Sequence, residues 1–341
     1  MKRSSSNQSS LQAFLIALDA MSRGDIRHRR LSSARPRSSH FTPHASLLTT
    51  LLLSVLVACS PPIVPKPSPD LHNMPTESLT GDVGWQGEVV VDRIVVVRAG
   101  ASLTVAPGAR VLFRRIDWDG DGIGDAELTV EGSLRAVGTP EKPILFASAE
   151  AEPRPADWKY LMVNFALRAE LAYASVRHAY SGLQVHYSTA EVHYCEFRDN
   201  VDGVRFSTAR LHLAGCWVHH NTNGIRFEER GHPAHVEGNE ISDNDVGVFA
   251  VTECRGGSRF LGNNFRRNRY SIKMGWEQPH DLTFPENFWG IQTEAERLAT
   301  LYAGHVDPAL GKVNVEPSRT EPAAVPVPPF PLPDHPAWRN P

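Results

Sequence analysis

The sequence has 341 residues, of which 41% are apolar and 21% are charged, and its formal net charge is −3. This length suffices for one large domain or for two of ordinary size. The charge balance provides no basic footprint, so the composition argues against a nucleic-acid-binding protein.

Residues 45–60, ASLLTTLLLSVLVACS, form an apolar run that is too short to span a bilayer as a resident helix. Basic residues precede it, as they precede the h-region of a secretory signal peptide. The run ends in Leu56-Val57-Ala58-Cys59, which resembles the lipobox of bacterial lipoproteins. The resemblance implies that residues 1–58 are removed and that Cys59 is lipidated, with residues 59–80 as a linker. The alternatives are an ordinary secretory signal with a chance cysteine and a short buried helix.

Removal of residues 1–58 would take away eight basic and two acidic residues and lower the formal charge from −3 to −9. Ser60, rather than an aspartate, follows the cysteine. In proteobacterial lipoproteins this pattern is typical of the outer membrane. The resemblance therefore implies a cell-envelope protein that its lipid holds on a membrane, with the outer membrane as the expected location.

A repeat dominates the middle of the chain, where HYCEFRDNVDGVRF (193–206) is echoed by AGCWVHHNTNGIRF (214–227). Apolar residues stand at fixed offsets from the glycine of an N-x-x-G pattern, and those one and three residues after it alternate with polar residues, as in a strand. Such a period predicts a parallel β-helix of roughly eight coils, each repeat forming one coil. The glycines are Gly182, Gly203, Gly224 and Gly247, and Ser271 takes the fifth position.

Residues at one offset from the anchor glycines form a column along the stacked coils, and two such columns are polar. Three residues before four of the five anchor positions, an asparagine recurs where a turn would allow left-handed backbone, and the amides can form a ladder from coil to coil. A second column places Cys195 and Cys216 in adjacent coils, about 4.8 Å apart if they are stacked. That spacing permits a disulfide, but two buried free thiols are an equal alternative. The ladder asparagines are Asn200, Asn221, Asn244 and Asn268.

Residues 128–148, LTVEGSLRAVGTPEKPILFAS, read as a further coil that is interrupted by glycine and proline. This stretch resembles bacterial right-handed parallel β-helix proteins of the pectate-lyase-like superfamily, lipoproteins in particular. The resemblance covers residues 81–315 and implies an all-β, right-handed parallel β-helix solenoid. It says little about function, because the fold serves lyases, hydrolases, epimerases, adhesins and scaffolds. The motif at the end of the β-helix in these proteins is matched by Asn287-Phe288-Trp289-Gly290. The residues that match within the coil are Val130, Gly132, Leu134, Ala136, Gly138, Thr139, Pro143, Ile144 and Phe146.

The stretch after Gly290 has helical periodicity at Ala295, Leu298, Leu301 and Tyr302, and Thr293 is a suitable N-cap. A short helix here would cap the last coil and protect its strand edge. Residues 316–341 are rich in proline and small residues, which predicts an extended, unpacked tail. Both ends of the chain are therefore expected to be disordered.

An acidic loop, DWDGDGIGD, occupies residues 117–125. Its carboxylates alternate as in the opening of an EF-hand calcium loop, and a backbone carbonyl would supply the seventh ligand position. The twelfth position is Leu128 instead of a bidentate glutamate, and flanking helices are missing. The loop is therefore either a structural calcium site or a solvated acidic loop. The candidate ligands are Asp117, Asp119, Asp121, Ile123 and Asp125.

Acid–base chemistry would need carboxylates beside cations on adjacent coils. The candidates are Asp199 with Arg198, and Asp243 near His220, on columns predicted to face outward. The alternative is that these columns are charged because a solenoid surface must be soluble, and this alternative is favoured.

Six histidines invite a metal interpretation. They stand at different offsets from the anchor glycines, and only His178 and His220 share a column, two coils or about 10 Å apart, too far to bind one zinc ion. The sequence therefore predicts scattered surface histidines. They are His178, His186, His193, His212, His219 and His220.

The sequence favours a non-catalytic, lipid-anchored envelope protein that acts as a structural or glycan-binding module. One alternative is a polysaccharide-active enzyme of the lyase or epimerase type. A second alternative is an assembly subunit that docks a protein partner through its proline-rich tail.

Overall fold

A computed structural model describes residues 74–290 and 293–327. Short strands follow one another along the chain. Through most of the described residues each strand pairs in parallel with the strand three places further on, and this pairing builds the three large sheets. Eight complete three-strand coils are formed in this way, so the predicted parallel β-helix is confirmed. Residues 1–58 and Cys59, the predicted leader and lipidation site, lie outside the described residues.

Sheet A has ten strands and provides one side of the solenoid. Its first strand starts at Thr76, a few residues before the predicted start at Gly81. The strands are β1 (Thr76–Leu79), β4 (Ile94–Val97), β7 (Glu127–Val130), β10 (Trp158–Asn164), β13 (Ala179–His186), β16 (Asp202–Ser207), β19 (Asn223–Glu228), β22 (Val246–Ala250), β25 (Tyr270–Met274) and β27 (Leu301–Tyr302).

Sheets B and C have eight strands each and provide the other two sides. Sheet B contains β2 (Asp82–Trp85), β5 (Ser102–Val105), β8 (Ser133–Val137), β11 (Arg168–Ala172), β14 (Thr189–His193), β17 (Arg210–Ala214), β20 (His235–Glu237) and β23 (Arg259–Leu261). Sheet C contains β3 (Glu88–Val91), β6 (Arg110–Phe113), β9 (Ile144–Ser148), β12 (Ala174–Arg177), β15 (Glu196–Arg198), β18 (Trp217–His219), β21 (Glu240–Ser242) and β24 (Asn264–Arg266).

The apolar columns of the repeat form the core between the three sheets. Val204 pairs with Ile225 in sheet A, Val192 with Leu213 in sheet B, and all four side chains are buried. Glycine recurs at the anchor positions for a steric reason. A Cβ added at Gly203 would lie 2.6 Å from the carbonyl oxygen of Gly224 in the next coil. The repeated glycine is therefore required by the close approach of neighbouring coils.

The asparagine ladder forms as predicted, at the corner between sheets C and A. The backbone N–H of Asn200 donates to Oδ1 of Asn221 at 3.0 Å, and Asn221 repeats the bond with Asn244. The left-handed backbone lies one residue earlier than predicted, since Asp199 has φ 56° and His220 has φ 55°. The turn residue directs its side chain outward, while the next residue, the asparagine, is buried and bonds along the solenoid axis.

The second polar column forms another ladder. Asn239 and Asn263 bond in the same way, and the backbone N–H of Cys216 donates to Oδ1 of Asn239 at 2.8 Å. Cys195, Cys216 and Cys254 are free and buried. The hypothesised disulfide is thus absent, because Cys195 and Cys216 stack in parallel and the Cys216 sulfur accepts the backbone N–H of Cys195 at 3.4 Å.

The end of the solenoid differs from the prediction. Helix α1 (Glu294–Ala299) begins after the N-cap Thr293, as expected, but it buries none of its residues. Leu301 and Tyr302 form β27, which pairs with β25. The last coil is covered by apolar side chains of the loops, such as Phe284 and Trp289, and a two-stranded sheet of β26 (Leu282–Thr283) and β28 (Val313–Asn314) lies beside it. Among the described residues, no helix has the length and apolar character needed to cross a membrane.

The first part of the proline-rich tail packs on sheet C, whereas the sequence predicted it to be unpacked. Asn264 exchanges two hydrogen bonds with the backbone of Ala323, at 2.8 and 3.0 Å. The indole Nε1 of Trp217 donates to the carbonyl of Pro326 at 2.9 Å. Residues 328–341 lie outside the described residues.

Candidate functional site

The predicted catalytic candidates lie along the corner between sheets C and A. Arg198 ends β15 and forms an ion pair with Asp199, the left-handed residue that follows it. The Nε of Arg198 is also 3.5 Å from Oε2 of Glu196. The sequence therefore paired Asp199 with Arg198 correctly, and the structure shows the two side chains as an ion pair at the corner.

Asp243 is likewise engaged by an arginine. Both of its oxygens accept bonds from Arg267 in the next coil, at 2.6 and 2.8 Å. Burial opposes ionisation of Asp243, but the hydrogen bonds and charge of Arg267 outweigh it and hold the pKa below its usual value, with a smaller contribution from His220. The predicted proximity of Asp243 and His220 is real, yet Asp243 remains an ionised structural partner at neutral pH.

A buried charged network lies beneath this corner, and the sequence did not predict it. Glu196 is fully buried in sheet C and contacts Ser175, Arg177 and His219. Burial works against its charge, but the bond from His219 and the charge of Arg177 lower the pKa of Glu196 to about 2. The signal in the sequence was the column of Ser175 and Glu196, which the structure shows to be in register.

The outer face of sheet A carries a basic and aromatic cluster. Phe249, Lys273 and Tyr302 are consecutive neighbours across β22, β25 and β27. The Lys273 ammonium lies 5.5 Å from the ring centre of Phe249, 5.9 Å from that of Tyr302 and 6.0 Å from that of Tyr270. These four half-buried residues are called the Lys273 cluster below. Phe249 and Lys273 are register partners, so they occupy the same place in successive coils.

The acidic loop is partly assembled as predicted. Carboxylate oxygens of Asp117, Asp119 and Asp125 lie within 4.8 Å of one another, whereas Asp121 stands outside this group and accepts the N–H of Ile123. Asp125 is buried, and its Oδ1 is 3.1 Å from the Lys159 ammonium. Burial, together with the charges of Asp125 and Asp121, raises the pKa of Asp119.

A second group of potential ligands lies on the outer face of sheet B. Nitrogens of His193 and His212 and a carboxylate oxygen of Glu191 lie within 4.8 Å of one another. The sequence had treated both histidines as scattered surface residues, and the structure contradicts that prediction for this pair. His178 and His220 are not members of this group.

One comparison with known proteins supports the fold. A family profile described as "Right handed beta helix region" matches residues 169–283, which cover the best-conserved copies of the internal repeat. The chain is thus a right-handed parallel β-helix protein. Neither the curated proteins nor the solved structures gave a match.

Proposed function

We propose that the chain is a non-catalytic, lipid-anchored module of the bacterial cell envelope that binds acidic glycan through the Lys273 cluster. The observation that carries this proposal is the ammonium of Lys273 among three aromatic rings on one face of sheet A. Aromatic faces stack on sugar rings, and an ammonium attracts the carboxylate of a uronic acid.

The column that leads to the cluster adds to this support. Arg205 and Arg226 precede Phe249 in register, and the Arg226 guanidinium lies 5.7 Å from the Phe249 ring centre. A row that repeats at the strand spacing of about 4.8 Å suits an extended polymer better than a small molecule. The net negative charge of the whole chain does not oppose binding strongly, because salt screens distant charges within about 8 Å.

The proposal of a non-catalytic role rests on the carboxylates of the corner. A general acid or base works best when its pKa is near the operating pH. The pKa of Glu196 is lowered to about 2, and that of Asp243 is also lowered by Arg267. Both groups therefore stay charged and paired with arginines at neutral pH, which suits a structural ladder.

Membrane attachment is proposed from the sequence alone. The lipobox-like Leu56-Val57-Ala58-Cys59 supports lipidation of Cys59, and Ser60 supports the outer membrane. The motif of residues 130–146 supports membership of the pectate-lyase-like superfamily. The mass of the lipid-modified N-terminal peptide, together with membrane fractionation of a Cys59→Ala variant, tests the anchor.

Glycan binding is tested with the full chain in detergent, by calorimetric titration with polygalacturonate, alginate and a neutral glucan as control. We expect Lys273→Gln to weaken binding of the acidic polymers about tenfold or more, since a bond to a charged group contributes about 1.5–3 kcal/mol. Lys312→Gln is the matched control, because Lys312 is exposed outside the cluster. Equal affinities of both variants and the unmodified chain, or no binding, would overturn the proposal.

The same mixtures test the enzymatic alternative. Absorbance of unsaturated ends and the number of reducing ends report cleavage of the polymer. Cleavage that is lost in Asp199→Asn or Arg198→Ala would place a catalytic site at the corner and refute the non-catalytic role. Intact polymer together with binding agrees with the proposed module.

A structural calcium ion in the acidic loop is proposed as a second feature of this protein. Three carboxylates that crowd together repel one another, and a hard cation with oxygen ligands would relieve that repulsion. Calcium is then expected to raise the unfolding temperature of the full chain over its value in a chelator, and to do so in Asp92→Asn but not in Asp119→Asn. An equal effect of calcium in all three proteins would refute the site.

A further inference from the structure

We propose that Glu191, His193 and His212 form a binding site for a divalent transition metal of the zinc class on the outer face of sheet B. This site is independent of glycan binding, because the Lys273 cluster lies on sheet A. The three residues are called the His-Glu cluster.

Strand geometry brings the His-Glu cluster together. Glu191 and His193 are two residues apart on β14, so their side chains project from the same face. His212 on β17 is the direct register partner of Glu191. His193 and His212 are therefore diagonal neighbours in adjacent coils, and their rings are 5.0 Å apart in an edge-to-face arrangement.

The distances fit a small metal ion. Oε2 of Glu191 is 3.1 Å from Nδ1 of His212 and 3.3 Å from Nε2 of His193. Zinc binds nitrogen and carboxylate oxygen at about 2.0–2.2 Å, so two ligands at the tetrahedral angle are about 3.3 Å apart. The ligand atoms of the three residues all lie within 4.8 Å of one another, so one ion could bind all three once the two histidine side chains adjust.

The second nitrogen of His212 has the partner that metal-bound histidines usually have. Its Nε2 is 2.7 Å from Oε1 of Glu237. When Nε2 donates its proton to Glu237, the lone pair of Nδ1 faces the Glu191 carboxylate at 3.1 Å. A carboxylate that fixes the tautomer of a histidine ligand is common around zinc.

The donor set also selects the kind of ion. Two imidazoles and one carboxylate suit zinc, nickel or copper, whereas the all-oxygen acidic loop suits calcium or magnesium. The fourth coordination position is open to water, because all three side chains are about one-third exposed (31–38%). The thiols of Cys195, Cys216 and Cys254 are buried, whereas the side chains of the cluster are partly exposed.

The test is a zinc titration of the untagged full chain, freed of metal by a chelator, with calorimetry and X-ray absorption at the zinc edge. We expect one site that is lost in His193→Gln and in His212→Gln. Glu237→Gln should retain the site but weaken it about 10–100-fold, the usual effect of removing a carboxylate that orients a ligand. His280→Gln, which changes an exposed histidine outside the cluster, should bind as the unmodified chain does.

Several outcomes would overturn the site: no zinc binding, binding that is unchanged in both histidine variants, or a zinc–sulfur distance of about 2.3 Å in the absorption spectrum. The unfolding temperatures of the metal-free variants show whether a loss of binding reflects unfolding. Asp119→Asn provides the reciprocal control, since it changes the acidic loop and should leave zinc affinity unchanged.

Discussion

The side-chain Nδ2 of Asn221 lies 3.0 Å from Oδ1 of Asn244 in the next coil. The same Oδ1 also accepts the backbone N–H of Asn221 at 3.0 Å. In the other direction, Nδ2 of Asn221 donates to the carbonyl of Phe197 in the preceding coil. One buried amide therefore connects three successive coils, and its repetition ties the corner of the solenoid along its axis.

Replacing Asn221 by alanine should destabilise the fold strongly. The change leaves buried backbone groups of two neighbouring coils without partners, and each such group costs about 1–3 kcal/mol. Urea unfolding should show a lower midpoint for Asn221→Ala, while Thr222→Ala, a change at the adjacent exposed side chain, should stay close to the unmodified chain. Equal midpoints for the two variants would contradict the role of the ladder.

The anchor glycines should not tolerate a methyl group. In Gly203→Ala the new Cβ would meet the Gly224 carbonyl oxygen at 2.6 Å, and such overpacking costs about 1–3 kcal/mol. Gly84→Ala is the matched control, because a Cβ there has open space and the backbone needs no positive φ. The unfolding temperature should fall for Gly203→Ala and stay the same or rise for Gly84→Ala. A similar response at both positions would refute the steric reason for the repeat.

The features that repeat could be predicted from the sequence, and those that lie between repeats could not. The spacing of Gly203 and Gly224 fixed the coil length, and with it the register of the asparagines and the apolar columns. The same method compared histidines only within a column. It missed His193 and His212 because diagonal neighbours in adjacent strands stand at different offsets from the anchor.

The tertiary environment decided the remaining differences. The helix after Thr293 has only six residues, so it ends before the last positions of the helical pattern. Leu301 instead belongs to a strand that pairs with β25, and its side chain is buried in the last layer of the core. Asp243 was a candidate for acid–base chemistry because the repeat places it near His220. The two bonds from Arg267 that fix its charge depend on the contact between two coils.

Acid stability should depend on Glu196. Its pKa is about 2 in the folded chain and about 4.5 when it is free, so the folded state favours the ionised form. The stabilisation is complete above about pH 4.5 and is lost as the pH falls toward 2. Glu196→Gln should be less stable at neutral pH, since Arg177 loses its buried partner, and should show a flatter stability profile between pH 4.5 and 2. Glu88→Gln, at an exposed glutamate, is the control. If stability depends on pH equally steeply in Glu196→Gln and in this control between pH 4.5 and 2, the role of Glu196 is contradicted.

His178 should control stability in a higher pH range. Burial lowers the pKa of His178 to about 4, from 6.5 in the free side chain. The unfolded chain therefore takes up a proton as the pH falls from 6.5 to 4, while the folded chain does not, and stability decreases over this range. Asparagine tolerates the positive φ of 67° at this position, so His178→Asn should fold and lose the contribution of His178 to this pH dependence. The contribution of His186, whose pKa burial lowers to about 3, should remain. His280→Asn should retain the contribution of His178, and an identical profile for both variants would refute the assignment.

The packed start of the tail should limit access to a protein partner. Trp217 holds the carbonyl of Pro326, and Asn264 holds the backbone of Ala323, so a partner that binds these tail residues must first displace them from sheet C.

Trp217→Phe keeps an aromatic ring but removes the hydrogen-bond donor. The loss of a hydrogen bond of about 1 kcal/mol corresponds to about a fivefold larger fraction of chains with the tail detached. Trypsin cleavage after the exposed Arg319 should accelerate by about that factor, and more in Asn264→Ala, which loses two bonds. Trp276→Phe, at an exposed tryptophan away from these contacts, should be cleaved at the original rate. Equal rates in all three variants would mean that these contacts do not hold the tail, and the docking alternative would then regain residues 321–327 as an accessible segment.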